Sequence, residues 1–201
     1  MTADMFANRD TFVAKFAEVF KNAGWKADFH KGETYWGFLW SRPNFRVTTS
    51  FSAGAVQQRR ETPVVSFAAG LSKAELDAIS EELFPTPQGY DASPVIIASY
   101  RVKEAIPNDL EDHPRFIRSL SEKIIQWASI QDIEACIRNF ATPWETEKQL
   151  THLAALAYFG DFITLMEYQE MFKRGKRANF YPMIEAEMID RAVNIAIERA
   201  F

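Results

Sequence analysis

YWGFLWSRPNFRVTTSFS, residues 35–52, is the stretch on which the fold turns. From Phe45 onward, Phe45, Val47 and Phe51 alternate with Arg46, Thr48, Ser50 and Ser52, the period of a half-buried strand. The preceding run, Tyr35 to Trp40, is aromatic at almost every position, and Ser41 to Asn44 reads as the turn between the two. Together they predict a β-hairpin. A loop of even length sets Trp40 opposite Phe45 or two residues further on, so Trp36, Phe38 and Trp40 share a face with Phe45, Val47 and Thr49. That face is the expected core. The opposite face carries Tyr35, Gly37 and Leu39 beside Arg46, Thr48 and Ser50; it is half apolar and dented at the glycine, fit for a partner or a further layer of the chain.

Working outward, Asp10 is the expected N-cap of a helix bearing Phe12, Phe16, Val19, Phe20 and Ala23 at three- and four-residue spacing, stopped by Gly24. Downstream, Gln57 to Thr62 with Arg59 and Arg60 reads as a polar loop and Pro63 to Ala69 as a strand. Ser72 with Glu75 has the spacing of a capping box for a helix carrying Leu76, Ile79, Leu83 and Phe84, ended by Pro85. Val95 to Val102 is β-branched and short enough for another strand. After Val102 the pattern is helical. Pro114 suits the first turn of a helix with Phe116, Ile117, Leu120, Ile124 and Trp127, and Asp132 restarts one with Ile133, Cys136, Ile137 and Phe140. Thr142, Pro143 and Glu145 open the next, through Leu150, Leu153, Ala154 and Ala157 to Gly160. Asp161 caps another, ended by Gly175, and Met188 to Ala196 lie on the last. The expected fold is α+β: an N-terminal helix packed on a small antiparallel sheet, residues 1–104, followed by a helical portion, residues 105–201, separate from it or packed with it as one domain.

Composition is that of a globular chain: 201 residues, 47% hydrophobic and 25% charged, with a formal net charge of −4. Residues 1–71 hold 9 basic and 6 acidic side chains, residues 72–142 hold 7 and 12, and residues 143–201 hold 7 and 9. An acidic balance of this kind disfavours nucleic acid as a partner. A single cysteine, Cys136, excludes an intramolecular disulfide and points to a reducing compartment. Met1 to Asp10 contains Asp4 and Asp10 and no apolar core of signal-peptide length, and no run is long enough for a membrane span. The expectation is a cytoplasmic protein with no membrane association.

The motifs of the common cofactor enzymes are missing from the sequence. Gly70 and Gly89 lack the neighbours of a phosphate-binding loop, and the three histidines, His30, His113 and His152, show no metal-ligand spacing. Cys136 lies on an apolar stripe, the place of a buried, inert thiol. No catalytic residue, metal or cofactor is therefore assigned, and the reading leans away from an enzyme. Three surfaces stand as candidates. Tyr35, Gly37, Leu39 and Arg46 would bind a protein partner or a second copy of the chain. Trp36, Trp40 and His152 would line a pocket between sheet and later helices, the alternative in which the protein is a ligand-binding protein or small enzyme. Lys173, Arg174, Lys176 and Arg177 would bind an anion, unless they serve to offset a helix dipole.

Two resemblances add to this. The stretch His152 to Asp161, with Tyr168-Gln169, Tyr181-Pro182 and the closing Met188 to Ala196 helix, resembles a bacterial protein family of unknown function. The element order from Asp10 to Ala128 is similar to that of type III secretion chaperones. That similarity implies an acidic, dimeric protein that binds partner polypeptides without catalysis.

Overall fold

The computed structural model describes residues 2–29, 35–52, 55–59, 62–89, 92–142 and 148–201, with the backbone alone at 2–11, 28, 29, 35, 58, 59 and 62. The protein is α+β, with an N-terminal helix, an open antiparallel sheet of six strands and a C-terminal helical region. In order the elements are α1 (Thr2–Asn22), β1 (Lys26–Phe29), β2 (Tyr35–Ser41), β3 (Arg46–Ser52), β4 (Val56–Arg59), β5 (Thr62–Ser72), α2 (Ala74–Leu83), β6 (Ala98–Ala105), a 3-10 turn (Leu110–Asp112), α3 (His113–Ser129), α4 (Ile133–Ala141), α5 (Gln149–Tyr158), α6 (Phe162–Lys173) and α7 (Ala186–Ala200). They form two compact units, Met1–Leu71 with Ala98–Gln131, and Ser72–Ile97 with Asp132–Phe201.

In the first unit the strand order is β1-β2-β3-β5-β4, with β6 also pairing β5. The hairpin register is Trp36↔Phe51, Phe38↔Thr49 and Trp40↔Val47, so the aromatic face of β2 meets Val47, Thr49 and Phe51 as parity required. All but half-buried Trp36 are buried. Helix α1 packs on this face. Phe16 is fully buried and stacks on Phe51, with ring centroids 3.9 Å apart and planes within 4°, while standing edge-on to Phe67 at 5.6 Å. Helix α3 covers the same side: Trp25 Nε1 donates to Ser121 Oγ at 2.8 Å, and Trp127 stacks on Tyr100 of β6. Apolar area removed from water, rather than any one bond, is what joins these elements.

Several local expectations change. Helix α1 begins at Thr2, eight residues before Asp10, because Ala3, Met5 and Ala7 form helix readily and no proline or glycine interrupts the run. Val56–Arg59 is a strand, pairing Val56 with Val65 and Arg59 with Thr62. Main-chain bonding along β5 needs no apolar alternation to hold it. Ser72 does not cap α2; it ends β5, its hydroxyl is buried with no hydrogen-bond partner among the described residues, and Lys73 takes the N-cap position without a side-chain bond. Strand β6 starts at Ala98 rather than Val95, whose N–H is bound instead by Asp77 Oδ1 at 2.7 Å. Pro143 and Glu145 lie outside the described residues, as does His30.

The second unit is built around α5, which touches α2, α4, α6 and α7. Every residue from His152 to Tyr158 is buried, as in a helix surrounded on all sides. Its alanines let neighbours approach closely. Gly160, at φ +67°, makes the turn into α6, and a Cβ there would meet the Ala196 carbonyl at 3.3 Å, so this glycine serves both the turn and the packing of α7. Asp132 and Asp161 act as the N-caps expected, accepting from the N–H groups of Ala135 and Thr164 at 3.0 and 3.1 Å. Asp132→Ala and Asp161→Ala will each cost about 1 kcal/mol, measured as a lower denaturation midpoint at unchanged slope.

Candidate functional site

With α1 and α3 on one side of the sheet, its other side carries the alternate residues of every strand. The register places Lys26, Leu39 and Thr48 in one row and Ser41 beside Arg46. On β5 and β6 the same face pairs Ser66 with Lys103, Ala68 with Arg101 and Gly70 with Ser99. The Thr49 hydroxyl donates to the Ala68 carbonyl at 2.7 Å, which brings Ala68 alongside that row. Gly70, at one end of this face, is buried, but the face is open elsewhere among the described residues. Ala68, on β5 between two neighbouring strands, is exposed, as are Lys26, Arg46, Ser99, Arg101 and Lys103.

Gly37, Leu39 and Arg46, three of the four residues assigned to partner binding, stand on this open face. Tyr35 pairs with Ser52 at one end of it, its side chain outside the described residues. A Cβ on Gly37 would meet nothing within 4 Å, so the glycine leaves an open dent. Lys26, Arg101 and Lys103 escaped the sequence reading. The signal was present on β6, where exposed Arg101 and Lys103 flank buried Val102 with a period of two. Lys26, Arg101 and Lys103 make no ion pair or side-chain hydrogen bond among the described residues.

The other candidate residues are distributed differently. Trp36 and Trp40 belong to the first unit and His152 to the second. Trp40 is buried against Trp25 and Phe45. His152 is buried, with Nδ1 2.6 Å from the Phe140 carbonyl and Nε2 3.1 Å from the Tyr168 hydroxyl. A carbonyl only accepts, so Nδ1 carries the proton and Nε2 accepts from Tyr168. Burial holds the imidazole pKa below its ordinary value, against the opposing pull of the Phe140 carbonyl and Asp161. In the basic cluster, Lys173 bonds Glu170 at 3.0 Å and Gln169 at 3.1 Å, and Arg174 lies 3.9 Å from Glu170. Arg177 donates to the carbonyls of Tyr181 and Ile184 at 2.8 and 2.6 Å, tying down the loop after α6, while Lys176 stays exposed. Cys136 is half-buried rather than buried, and desolvation followed by the charge of Asp132 pushes its thiol pKa up, leaving little thiolate.

The densest polar cluster joins four helices of the second unit. Lys73 donates to Glu134 Oε1 at 2.7 Å and to the Tyr158 hydroxyl, which itself donates to the same Glu134 oxygen at 2.7 Å. Arg199 pairs with Glu75 at 2.7 Å and donates to the Tyr158 carbonyl at 2.8 Å. Both cations lie over the Tyr158 ring, at 4.7 and 4.8 Å. Burial draws the Lys73 pKa down, but its hydrogen bonds to Glu134 and Tyr158 outweigh that and leave it raised. Burial likewise raises the Tyr158 hydroxyl. Burial favours the neutral form of Glu134, yet the bonds from Lys73 and Tyr158 hold its pKa below the usual carboxylate range. Lysine and tyrosine thus keep their protons near neutrality, the opposite of what a catalytic base needs. The cluster is a clamp between α2, α4, α5 and α7.

Among the described residues an open groove of about 460 Å³ runs along α6, lined by Ile163, Met166, Glu167, Glu170, Met171 and Arg174. No described residues gather three or more His, Cys, Asp or Glu side chains in a metal-binding arrangement, and no described helix is long and apolar enough to cross a membrane.

The fold and its surfaces define an α+β protein whose antiparallel sheet is backed by helices on one face and open on the other. The chain belongs to a family of unknown function (DUF6990), whose model matches residues 12–197. No match is found among the curated proteins or among the solved structures.

Proposed function

We propose that the protein is a non-catalytic, chaperone-like polypeptide-binding module of the bacterial cytoplasm that takes its partner on the open sheet face. The observation that carries this reading is the exposure of Ala68 on a strand with neighbours on both edges. An antiparallel sheet can keep one face in water, but a merely solvated face is normally roofed by long polar side chains. Here the floor is Gly37, Leu39, Thr48, Ser50, Ser66 and Ala68, which leaves Leu39 and the strands open to close approach. The resemblance in element order to type III secretion chaperones supports the same reading and implies a homodimer, which solution mass measures.

The test is partner capture by the immobilised protein from an extract of its source. Ala68→Trp roofs the floor at an exposed position and will abolish capture, with the circular dichroism and melting curve of the wild type. Ile163→Asp, on the α6 groove, will leave capture intact. The opposite pattern, capture lost at Ile163 and kept at Ala68, would move the binding site to α6 and end this reading.

A further inference from the structure

We infer that the occupant of the open sheet face is an acidic, extended polypeptide segment; the inference rests on the docking reading above and supplies its chemistry. The described side chains on this face carry charge of one sign. Lys26 stands on β1, Arg46 on β3, and Arg101 and Lys103 on β6, all exposed, in a chain whose formal net charge is −4. Asp28 faces Gly37 at its register position, its side chain outside the described residues. Glu104, the acid of β6, lies on the covered face, where it pairs with Lys123 of α3. The cations are therefore segregated by strand alternation onto the side opposite α1 and α3. Three of them, Lys26, Arg101 and Lys103, have no counter-charge among the described residues.

Their placement suits an extended chain. Strands β1 and β6 are four inter-strand steps apart, which is about 19 Å, or roughly six residues of extended polypeptide. Between the two rims lies the floor around Leu39, Thr48 and Ala68, on which a main chain can rest and an apolar side chain can meet Leu39. An acidic segment crossing the sheet would place one carboxylate near Lys26 and another near Arg101. Nucleic acid fits less well. Sequence-tolerant binding of single strands uses aromatic platforms, and the described rings of the sheet, Trp36, Phe38, Trp40, Phe51, Phe67 and Tyr100, stand on the covered face.

The experiment is fluorescence anisotropy with a labelled alternating Glu-Thr peptide about twelve residues long, which reaches about 40 Å when extended. A Lys-Thr peptide and an oligo-thymidylate of equal length serve as the other arms. The Glu-Thr peptide should bind saturably, the Lys-Thr peptide should not, and raised salt should weaken the complex. Arg101→Glu with Lys103→Glu should weaken it about tenfold, and the neutral pair Arg101→Gln with Lys103→Gln should fall between. Both pairs sit at exposed edge positions, and unchanged melting curves verify their folding. Equal binding of the two peptides, or an unaltered affinity in the charge-reversed protein, would overturn the inference. Oligo-thymidylate binding more tightly than the peptide, and lost in the same variant, would overturn it in favour of a phosphate-reading face. Partner capture separates the two levels: loss with Ala68→Trp but not with charge reversal leaves the docking reading standing and removes the acidic chemistry, whereas capture unmoved by either removes the docking reading itself.

Discussion

Phe16→Ala will cost the first unit about 3–5 kcal/mol, a large part of the stability a domain of this size has. Phe16 has no exposed surface and is the ring around which the helix-on-sheet core is organised. It stacks on Phe51 of β3 and on Phe20 one turn along its own helix, at 3.9 and 4.2 Å, and it reaches Phe38 of β2 and Phe67 of β5 at 5.7 and 5.6 Å. Truncation removes contacts to three strands at once, and rings braced against one another leave little room to collapse into the cavity. Trp25 and Trp40, both buried in the same unit, report the transition by fluorescence during denaturant titration. Phe16→Leu, which keeps most of the volume, should lose clearly less. A loss below about 1 kcal/mol for alanine would be less than burial of a phenylalanine side chain alone contributes, and would show that Phe16 does not organise this core.

His152→Leu will destabilise the second unit by an amount on the order of 3 kcal/mol. The leucine fills most of the space but leaves the Phe140 carbonyl and the Tyr168 hydroxyl without the ring nitrogens they now bond. This effect carries a pH signature. Because the folded pKa is depressed, the unfolded chain takes up a proton near the ordinary imidazole value of about 6.5 while the folded one does not. The histidine's contribution is therefore full above that value and shrinks as pH falls through it toward the lower folded pKa. The gap between wild type and His152→Leu should narrow from about pH 7.5 to about pH 5. A gap that stays constant across that range would show that the imidazole is not held neutral by burial.

How much of this was legible in advance differs from element to element. The hairpin was readable because its side chains alternate with the period of the backbone, and a loop of even length leaves one parity. The Asp132 and Asp161 caps were readable for a similar reason, since each is a bond between residues three apart. Ser72 shows where local reasoning fails. It has capping-box spacing to Glu75, but β5, paired with β6 as far as Leu71, runs on to Ser72 itself, and the cap is lost. His152 was visible as a histidine on a helix, yet its partners come from α4 and α6. The Lys73, Glu134, Tyr158 and Arg199 clamp draws on four helices and carries no sequence signature at all. On β6 the alternation of Arg101, Val102 and Lys103 was a signal of the right kind, but the β-branched run that marks the strand ends at Val102, one residue short of Lys103.

By itself, then, the sequence determined which residues of each strand share a face, that the aromatic face of the hairpin is the buried one, and where most helices stop. These are properties of backbone period and of bonds between near neighbours, and they need no knowledge of what packs alongside. Tertiary structure alone decided that α1 and α3 cover the same side of the sheet and that the other side stays open. It also decided that Lys26, Arg46, Arg101 and Lys103, spread over 78 positions of chain, meet on that open side. Strand order and helix placement depend on contacts between segments far apart in sequence, where burial of area is non-directional and leaves no local pattern to read.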